Sequence, residues 1–347
     1  MVTASVLRST CLVAGTSALL LLGPAAVAAA SSPTARCGVD LSAPEIARAV
    51  AQVPRPRIGG VPQRWSTTPS SGNFDPCSRI SGVTIAIRGG TAGSPAQVLL
   101  FAYGRYVRTA APFPFSGSSV DSAASNPGEL VVHYRWLEWN DTVADSRGRS
   151  TAQFRWNGSA VVQTGDLPPT PWVPGSALLT AADVGQPRWA AGKGVRPTAF
   201  DPCGGTAYPA EQHRVVGRWR DFVSQQDGQP VEGRGLREDV VRYGTGDDVA
   251  AAQAGYLQAA RACPRRVDGT RTTTQEVLQL QPLIVRETSV DAAVPAPVAP
   301  TYYAFPRVGN LLALVVTGDS EGDAGLPYAR EQARQARARL LAADSPH

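Results

Sequence analysis

The chain of 347 residues contains only three histidines, His133, His213 and His347. The zinc motif H-E-x-x-H is absent, and so is the acidic D-x-D-x-D-G loop that binds calcium. A four-thiolate zinc site needs closely spaced cysteines, and no C-x-x-C occurs. We therefore predict no metal site and no cofactor.

Signatures of nucleophilic catalysis and of nucleotide binding are also missing. There is no G-x-S-x-G, whose strand–turn–helix geometry exposes a nucleophilic serine, and no phosphate-binding G-x-x-x-x-G-K-[ST]. A Ser/His/Asp site through His133 or His213 can still assemble in space from distant parts of the chain. An envelope-acting hydrolase therefore stays open as the alternative function, although we predict no particular catalytic residue.

The apolar run from Leu12 to Leu22 is too short to span a bilayer, which takes about 20 residues. Arg8 precedes this run, and Gly23, Pro24 and a series of small residues follow it. This is the pattern of a secretory signal peptide. We predict a signal peptide over residues 1–30, cleaved near Ala28 to Ala30, and a secreted, extracytoplasmic protein.

A lipid-modified cysteine would follow the signal peptide directly. Cys11 precedes the apolar run, and Cys37 lies several residues beyond the predicted cleavage point with no Leu-Ala-Gly type box before it. The sequence therefore argues against a lipid anchor, while peripheral membrane association stays open.

Neither sign of charge dominates. The formal net charge is +5 and the basic residues are dispersed. So weak a bias over a chain of this length does not favour nucleic acid as a partner, and none is predicted.

Four cysteines remain after the predicted cleavage: Cys37, Cys77, Cys203 and Cys263. An even number of cysteines in an oxidising compartment predicts two disulfides. Three pairings are possible. The pairing Cys37–Cys77 with Cys203–Cys263 is the one that keeps each bond within one half of the chain.

The tetrapeptide Phe-Asp-Pro-Cys occurs twice, at 74–77 and at 200–203. Asp-Pro favours a turn, the proline fixes the chain just before the cysteine, and the phenylalanine can pack beneath the disulfide. We interpret the motif as one structural device used in each half, and not as a reaction centre.

Residues 37–167 predict one helix followed by an antiparallel meander. Ser42 is placed to cap the helix, with Glu45 at the capping-box position. The predicted strands cover residues 82–88, 97–103, 105–109, 129–136 and 151–163. Within the last of these, Asn157-Gly158 predicts a two-residue hairpin turn that sets Phe154 opposite Val161.

Four prolines between 165 and 175 predict a stiff linker over 168–175, followed by a second domain over 176–345. Its predicted helices begin at Thr180, cover 245–263 and cover 326–343. Its predicted strands cover 213–223, 235–243, 274–287 and 302–317. The fold class is therefore α+β, with two domains that each hold an antiparallel sheet, one or more packed helices and one disulfide.

Four aromatic residues near the end of the first half could bind a ligand: Tyr134, Trp136, Trp139 and Trp156. An indole face can contact a sugar ring or a lipid chain. The competing interpretation is a packed core, because Tyr134, Trp136 and Trp156 share the strand parity expected to point inward. Trp139 lies beyond the strand and is expected to be the most exposed.

The arginines at 330, 334 and 337 fall on one face of the last predicted helix. Such a stripe could bind anionic lipid or a cell-wall polymer. We favour the simpler interpretation, a solvated helix face.

Several segments in the first half carry a family resemblance. They are "CGVDLSAPEIARAVAQVPRP" (37–56), "NFDPCSRISGVTIAIRGGTAGSPAQVLLFAYGRYV" (73–107), "VVHYRW" (131–136) and "FRWNGSAVVQTGDLPP" (154–169). Together they resemble the LppP/LprE family of actinobacterial, chiefly mycobacterial, envelope lipoproteins. The resemblance implies an exported domain of unknown biochemical activity and supplies no catalytic residues. The chain departs from the family in lacking a lipobox and in carrying a second half.

Residues 176–345 resemble the exported sensor-type domains of the same bacteria, among them the extracellular domain of a mycobacterial Ser/Thr kinase. The shared features are the opening "LLTAADVGQPRW", a cysteine near the start and another after the middle helix, and the closing strand and helix. The resemblance implies an α+β fold with an antiparallel sheet and a cleft.

We therefore expect an exported cell-envelope protein that acts as a non-catalytic ligand- or partner-binding or sensing module. The expected partner is an envelope glycan, a lipid or another protein. A purely structural scaffold is a third possibility.

Overall fold

The computed structural model describes residues 36–58, 61–226, 229–294, 298–318 and 325–344. The described residues from Arg36 onward belong to one compact unit. The predicted signal peptide, residues 1–30, and His347 lie outside the described residues. Among the described helices, none combines the length and the apolar character that a membrane crossing needs.

The first half contains one helix, a short hairpin and two four-stranded antiparallel sheets. Helix α1 spans Pro44–Gln52, and the hairpin pairs β1 (Arg57–Ile58) with β2 (Val61–Pro62). The first sheet contains, in order, β3 (Ser71–Gly72), β4 (Ser81–Ala86), β5 (Ala96–Ala102) and β6 (Arg105–Thr109). The second sheet contains β7 (Ser119–Asn126), β8 (Glu129–Trp136), β9 (Gly148–Trp156) and β10 (Val161–Gly165), in the spatial order β10-β9-β8-β7.

The first sheet is covered on both faces, which explains the unbroken apolar sequence of β5. Leu99 and Phe101 pack with α1 on one face, and Val98 and Leu100 pack with the second sheet on the other. Every residue of β5 is buried. A strand buried on both sides has no solvent face, so its sequence does not alternate between apolar and polar residues.

The single meander predicted for the first half is wrong, because the strands form two packed sheets. The chain passes from one sheet to the other at residues 110–118, where Pro112 and Pro114 lack the N–H groups that a continuing strand would need. Ala110, Ala111 and Phe115 in this segment are buried between the sheets.

Ser42 does not cap α1, in contrast to the prediction. Its backbone N–H and its hydroxyl both donate to Asp40 Oδ1, at 2.8 and 2.6 Å. The N-cap position belongs to Ala43, which offers the helix no side-chain acceptor, and Pro44 occupies the first turn. The turn at Asp40 engages the Ser42 hydroxyl, which is therefore not available to cap the helix as the sequence pattern predicted.

The register predicted for the last hairpin of the first half is also wrong. Val161 lies opposite Trp156, and Phe154 lies opposite Gln163, so residues 157–160 form a four-residue loop. Asn157 Oδ1 accepts the N–H groups of Ser159 and Ala160, at 3.0 and 2.9 Å. This side-chain acceptor stabilises a wider turn than the dipeptide alone predicts.

The second half contains one nine-stranded antiparallel sheet with helices on both faces. Its elements are α2 (Ala181–Val184), β11 (Arg188–Lys193), β12 (Arg214–Gln226), β13 (Gln229–Tyr243), α3 (Gly246–Ala262), β14 (Arg265–Asp268), β15 (Arg271–Leu280), β16 (Leu283–Asp291), β17 (Thr301–Phe305), β18 (Arg307–Val308), β19 (Leu311–Gly318) and α4 (Gly325–Asp344). The spatial order is β11-β12-β13-β19-β17-β16-β15-β14, with β18 paired to β19. Single 3-10 turns cover Gly175–Ala177 and Pro209–His213.

Each face of this sheet carries its own core. Helix α4 covers one face through Ala333, Ala336 and Leu340. Helix α3 covers the other through a stripe that begins at Val249 and includes Tyr256. Both α2 and α3 begin with capping boxes, Thr180 with Asp183 and Thr245 with Asp248. The α+β class predicted from the sequence is therefore confirmed.

The segment predicted as a linker is packed against the second half. Val173 and Ala177–Leu179 are buried in the core under α4. The side chain of Arg220 donates to the carbonyl groups of Gly175, Leu178 and Leu179. Because 36–347 belongs to one compact unit, the division into separate domains at 168–175 stays a prediction.

Two disulfides are present, as predicted. Cys37 is bonded to Cys77 and Cys203 to Cys263. The two copies of Phe-Asp-Pro-Cys have similar surroundings. Phe74 and Phe200 are fully buried, each in the core of its own half. In both copies the aspartate, Asp75 or Asp201, accepts N–H groups of the loop that carries the cysteine.

Candidate functional site

A loop at the end of β8, residues 137–147, contacts the second half and is held in shape by Asp141. The Oδ2 atom of Asp141 accepts the backbone N–H groups of Glu138 and Arg147, both at 2.8 Å. Its Oδ1 atom lies 2.6 Å from Nε of Arg147. Burial raises the pKa of the Asp141 carboxyl, but these bonds and the guanidinium outweigh burial and hold the pKa below its usual value.

Arg147 joins this loop to the 3-10 turn Pro209–His213. It donates to Trp139 O at 2.7 Å, to Gln212 Oε1 at 3.1 Å and to Gln212 O at 3.3 Å. One guanidinium therefore fixes the indole-bearing loop against the second half, using the fork of donors that distinguishes arginine from lysine.

A second polar contact between the halves joins Glu138 to His213. The two residues are 75 positions apart, and His213 Nδ1 lies 3.1 Å from Glu138 Oε2. The Glu138 side chain is only 5% exposed. Burial raises the pKa of Glu138, and the neighbouring His213 and Arg147 oppose that shift without cancelling it. The pair faces an open cleft of about 640 Å³ that also reaches Thr245 and Asp248 at the start of α3.

Trp139 lies over a buried arginine. The Arg214 guanidinium is 5.0 Å from the centroid of the Trp139 ring, and it is almost fully buried. Arg214 forms an ion pair with Glu211 and lies 3.2 Å from the Tyr256 hydroxyl, which donates to Glu211 at 2.5 Å. The buried cation beneath one face of the indole holds the ring in place, and the Trp139 side chain is partly exposed.

The Trp139 ring forms part of the wall of a cleft of about 500 Å³ between the loop 137–147 and the second half. The cleft offers two aromatic rings and several hydrogen-bonding side chains. The lining residues with such side chains include Trp139, Tyr208, Asn140, Thr198, Asp201 and Gln212.

The far wall of this cleft is formed by the loop of the second Phe-Asp-Pro-Cys motif, which internal hydrogen bonds hold in shape. Asp201 accepts the N–H groups of Gly205 and Thr206, at 2.6 and 2.9 Å. The Tyr208 hydroxyl donates to Phe200 O at 2.9 Å, and burial raises the pKa of Tyr208 to about 12. Tyr208 is therefore a neutral phenol throughout the physiological pH range.

The structure separates the four aromatic residues that the sequence grouped together. Tyr134 and Trp136 are buried in the core between the two sheets of the first half. Trp156 is partly buried and packs against that same core. Trp139 alone of the four lines the 500 Å³ cleft, whereas Trp136 lines the 640 Å³ cleft beside His213.

His133 lies on the second sheet, away from the cleft. Its Nε2 is 2.9 Å from Asp121 Oδ2, and its Nδ1 is 2.9 Å from Thr151 Oγ1. The three residues stand on neighbouring strands β7, β8 and β9. Both β8 and β9 are interior strands of the second sheet, and the N–H of Val131 in β8 donates to Ser125 Oγ at 2.9 Å.

Four residues around the two clefts were not predicted from the sequence: Glu138, Arg147, Tyr208 and Arg214. Glu138 and Arg147 belong to the charged loop after β8. Tyr208 lies in the irregular stretch after Cys203, and Arg214 is the first residue of β12. For Glu138 and Arg147 the sequence signal is the cluster of charges and aromatics in "WLEWNDTVADSRGR" (136–149). Within the described residues, no group of three or more His, Cys, Asp or Glu side chains is arranged to hold a metal ion.

Comparison with known proteins identifies the family that the first half resembles. Residues 72–159 match the family model for LppP/LprE lipoproteins. This match covers about a quarter of the chain and confirms the resemblance predicted for residues 37–167.

Two mycobacterial relatives described as lipoprotein LprE are similar to this chain. The one from Mycobacterium leprae is 30% identical over 131 residues, 37% of this chain and 59% of the relative. The one from Mycobacterium tuberculosis strain H37Rv is 27% identical over 132 residues, 38% of this chain and 59% of the relative. The chain thus spans about three-fifths of the length of these relatives.

A crystal structure of the extracellular domain of PknH from Mycobacterium tuberculosis also resembles the chain. The two share 14% identity with a TM-score of 0.37, and the alignment covers 50% of this chain and 98% of that domain. Residues 176–345 were predicted to resemble an extracellular domain of this kind. A TM-score below 0.5 leaves this a likeness and assigns no activity.

Proposed function

We propose that this protein is a non-catalytic binding protein of the cell envelope, and that it recognises a polyhydroxylated ligand, a segment of envelope glycan, in the cleft beside Trp139. The observation that carries the proposal is the partly exposed indole of Trp139, which lies over Arg214 and is flanked by hydrogen-bonding side chains. An indole offers an apolar face to the C–H groups of a sugar ring.

The polar groups of the cleft suit hydroxyl groups better than a lipid chain. Asn140, Gln212 and Thr198 can donate and accept, as a sugar hydroxyl does. Arg147 and Asp201 are already held by loop contacts, so they are ordered before a ligand arrives. Preorganisation of this kind lowers the entropic cost of binding.

Location in the envelope is supported by the relatives. The LprE proteins are described as lipoproteins, and the matching family carries the same description. We assign this chain to the same compartment. The family name implies a lipid anchor, whereas the sequence predicts none. The proposed envelope location does not depend on how the protein is attached to the membrane.

The proposal is tested by titrating a panel of soluble envelope-type oligosaccharides by calorimetry. Trp139→Ala is expected to weaken binding about 5- to 30-fold, because stacking on one aromatic ring contributes roughly 1–2 kcal/mol. The matched control is Trp172→Ala, which removes an exposed indole that does not line this cleft. Thermal melting of both variants establishes that they are folded. Unchanged affinity in Trp139→Ala, or loss of binding in Trp156→Ala instead, would contradict the proposal.

The hydrolase alternative rests on one observation, the hydrogen bond between His213 and the buried Glu138. Such a pair can orient a general base. Generic ester, peptide and glycoside substrates test it. Turnover that disappears in His213→Ala and persists in His133→Ala would favour the enzyme, and turnover lost only in His133→Ala would point to the Asp121 pair.

A further inference from the structure

Positive charge is concentrated in one part of the first half, although the whole chain is only weakly basic. Residues 46–120 contain eight arginines and a single acidic residue, Asp75. Asp75 accepts the backbone N–H groups of Gly38 and Cys77, so it is held beside the first disulfide. The excess of arginine over carboxylate therefore has to lie on the surface of this sheet and its hairpin.

Three of these arginines lie on adjacent chain segments at the base of the β1–β2 hairpin. Gln63 N donates to Pro56 O at 2.8 Å, which sets the segment around Arg55 beside the segment around Arg64. Arg88 N donates to Arg64 O at 2.9 Å, which adds the third segment. Neighbouring strands are spaced by about 5 Å, so the three arginines form one cluster. All three are exposed, and no carboxylate among the described residues pairs with them.

The hairpin itself carries exposed aliphatic side chains. Ile58 and Val61 lie opposite each other in the β1–β2 pair and are 44% and 59% exposed. Ile58 is three residues beyond Arg55, and Val61 is three residues before Arg64. At about 3.3 Å per strand residue, the aliphatic pair projects roughly 10 Å beyond the arginine cluster.

We propose that this hairpin is a membrane-binding element, with Ile58 and Val61 entering the interface of an anionic phospholipid bilayer and Arg55, Arg64 and Arg88 contacting the phosphate groups. An offset of about 10 Å matches the depth to which apolar side chains enter the headgroup and acyl boundary. The proposal is independent of the glycan cleft, because none of these residues lines it.

The aliphatic pair distinguishes a bilayer from a soluble polyanion. Arginines alone would serve either partner, since both attract positive charge. Exposed Ile58 and Val61 gain nothing from a hydrated polymer, whereas burying them in the bilayer interface removes apolar area from water. On α4, which also has exposed arginines, Leu341 is the single exposed large aliphatic residue, so this helix offers no comparable pair.

The test is co-sedimentation with vesicles, using protein purified after export from the expressing bacterium. We expect binding to vesicles of phosphatidylglycerol and phosphatidylcholine in equal parts, and little binding to phosphatidylcholine alone. Each arginine near an anionic surface contributes roughly fivefold, so Arg55→Gln/Arg64→Gln/Arg88→Gln should lower partitioning on the order of a hundredfold. Ile58→Ser/Val61→Ser should lower it roughly tenfold.

Two matched variants serve as controls. Arg330→Gln/Arg334→Gln/Arg337→Gln removes the same charge from α4, and Val267→Ser/Val290→Ser removes two exposed valines from the other half. Neither control should change partitioning more than about twofold. The proposal is overturned if the α4 variant abolishes binding, or if Ile58→Ser/Val61→Ser binds vesicles as the parent does. Equal binding to heparin and to vesicles, with no effect of the serine variant, would assign the arginine cluster to a polyanion instead.

Discussion

Replacing Glu238 by glutamine should remove most of the pH dependence of stability between pH 5 and pH 8. Glu238 lies on β13 and is fully buried among the apolar residues of the core under α4. Burial raises its pKa from the ordinary 4.5 to about 8. The N–H of Leu179, which donates to Oε2 at 2.8 Å, and the nearby Arg220 oppose that shift, while Asp239 and Asp183 add to it.

The sign of the effect follows from comparing the folded and unfolded chains. Below pH 4.5 the carboxyl of Glu238 is protonated in both states, so its stability contribution is fully present. As the pH rises toward 8, the unfolded chain loses this proton while the folded chain keeps it. The free energy of unfolding therefore falls, by at most about 1.4 kcal/mol per pH unit, or about 4 kcal/mol between pH 5 and pH 8.

In Glu238→Gln the neutral amide keeps an oxygen acceptor for Leu179 N–H and does not titrate. We expect the variant to match the parent at pH 5 and to exceed it increasingly toward pH 8. The assay is urea unfolding followed by tryptophan fluorescence at each pH, with both disulfides oxidised. Glu276→Gln, whose side chain is 57% exposed, is the control and should leave the profile unchanged. Parallel pH profiles for the parent and Glu238→Gln would refute the reasoning.

Two further substitutions test the framework of the site. Removing the second disulfide with Cys203→Ser/Cys263→Ser should lower the free energy of unfolding by about 4 kcal/mol, because the disulfide closes a loop of 60 residues in the unfolded chain. Urea unfolding measures this loss, and a clearly smaller loss would contradict the entropic estimate. Gly148→Ala should lower the free energy of unfolding by roughly 1–3 kcal/mol, because a Cβ at this position would lie 2.2 Å from Trp136 Nε1. The near-ultraviolet circular dichroism of Trp136 should change as well, and an unchanged melting temperature would contradict this close contact.

Local signals in the sequence predicted the elements that local contacts stabilise. The capping boxes at Thr180 and Thr245 determine where α2 and α3 begin, and both depend on residues only three positions apart. The turn between β5 and β6 depends on Tyr103 and Gly104, which both adopt positive φ. In these cases the side chains that decide the structure are neighbours in the sequence.

The wrong predictions concern positions where a contact outside the local sequence pattern determines the structure. Asp40 takes the hydroxyl of Ser42 away from α1. The Asn157 side chain widens a hairpin that its dipeptide predicts to be tight. The separation of the first half into two sheets depends on which faces of β5 are covered, and a continuous apolar run does not encode that.

The candidate site could not be predicted for a related reason. Arg147 reaches Gln212 and Glu138 reaches His213 across 65 and 75 residues of sequence. The sequence predicts Trp139 to be the most exposed of the four aromatics because it lies beyond the end of the strand. That it lies over Arg214 follows only from the packing of the loop against the second half.

The central claim is that the cleft beside Trp139 binds a glycan. It is tested most directly by following the indole N–H resonances of the seven tryptophans in a two-dimensional NMR titration with oligosaccharide. Trp139→Ala identifies the resonance of Trp139. We predict that this resonance shifts first and saturates with the same affinity as calorimetry gives. Shifts confined to Trp156, or no indole shift under conditions where calorimetry detects binding, would contradict the account.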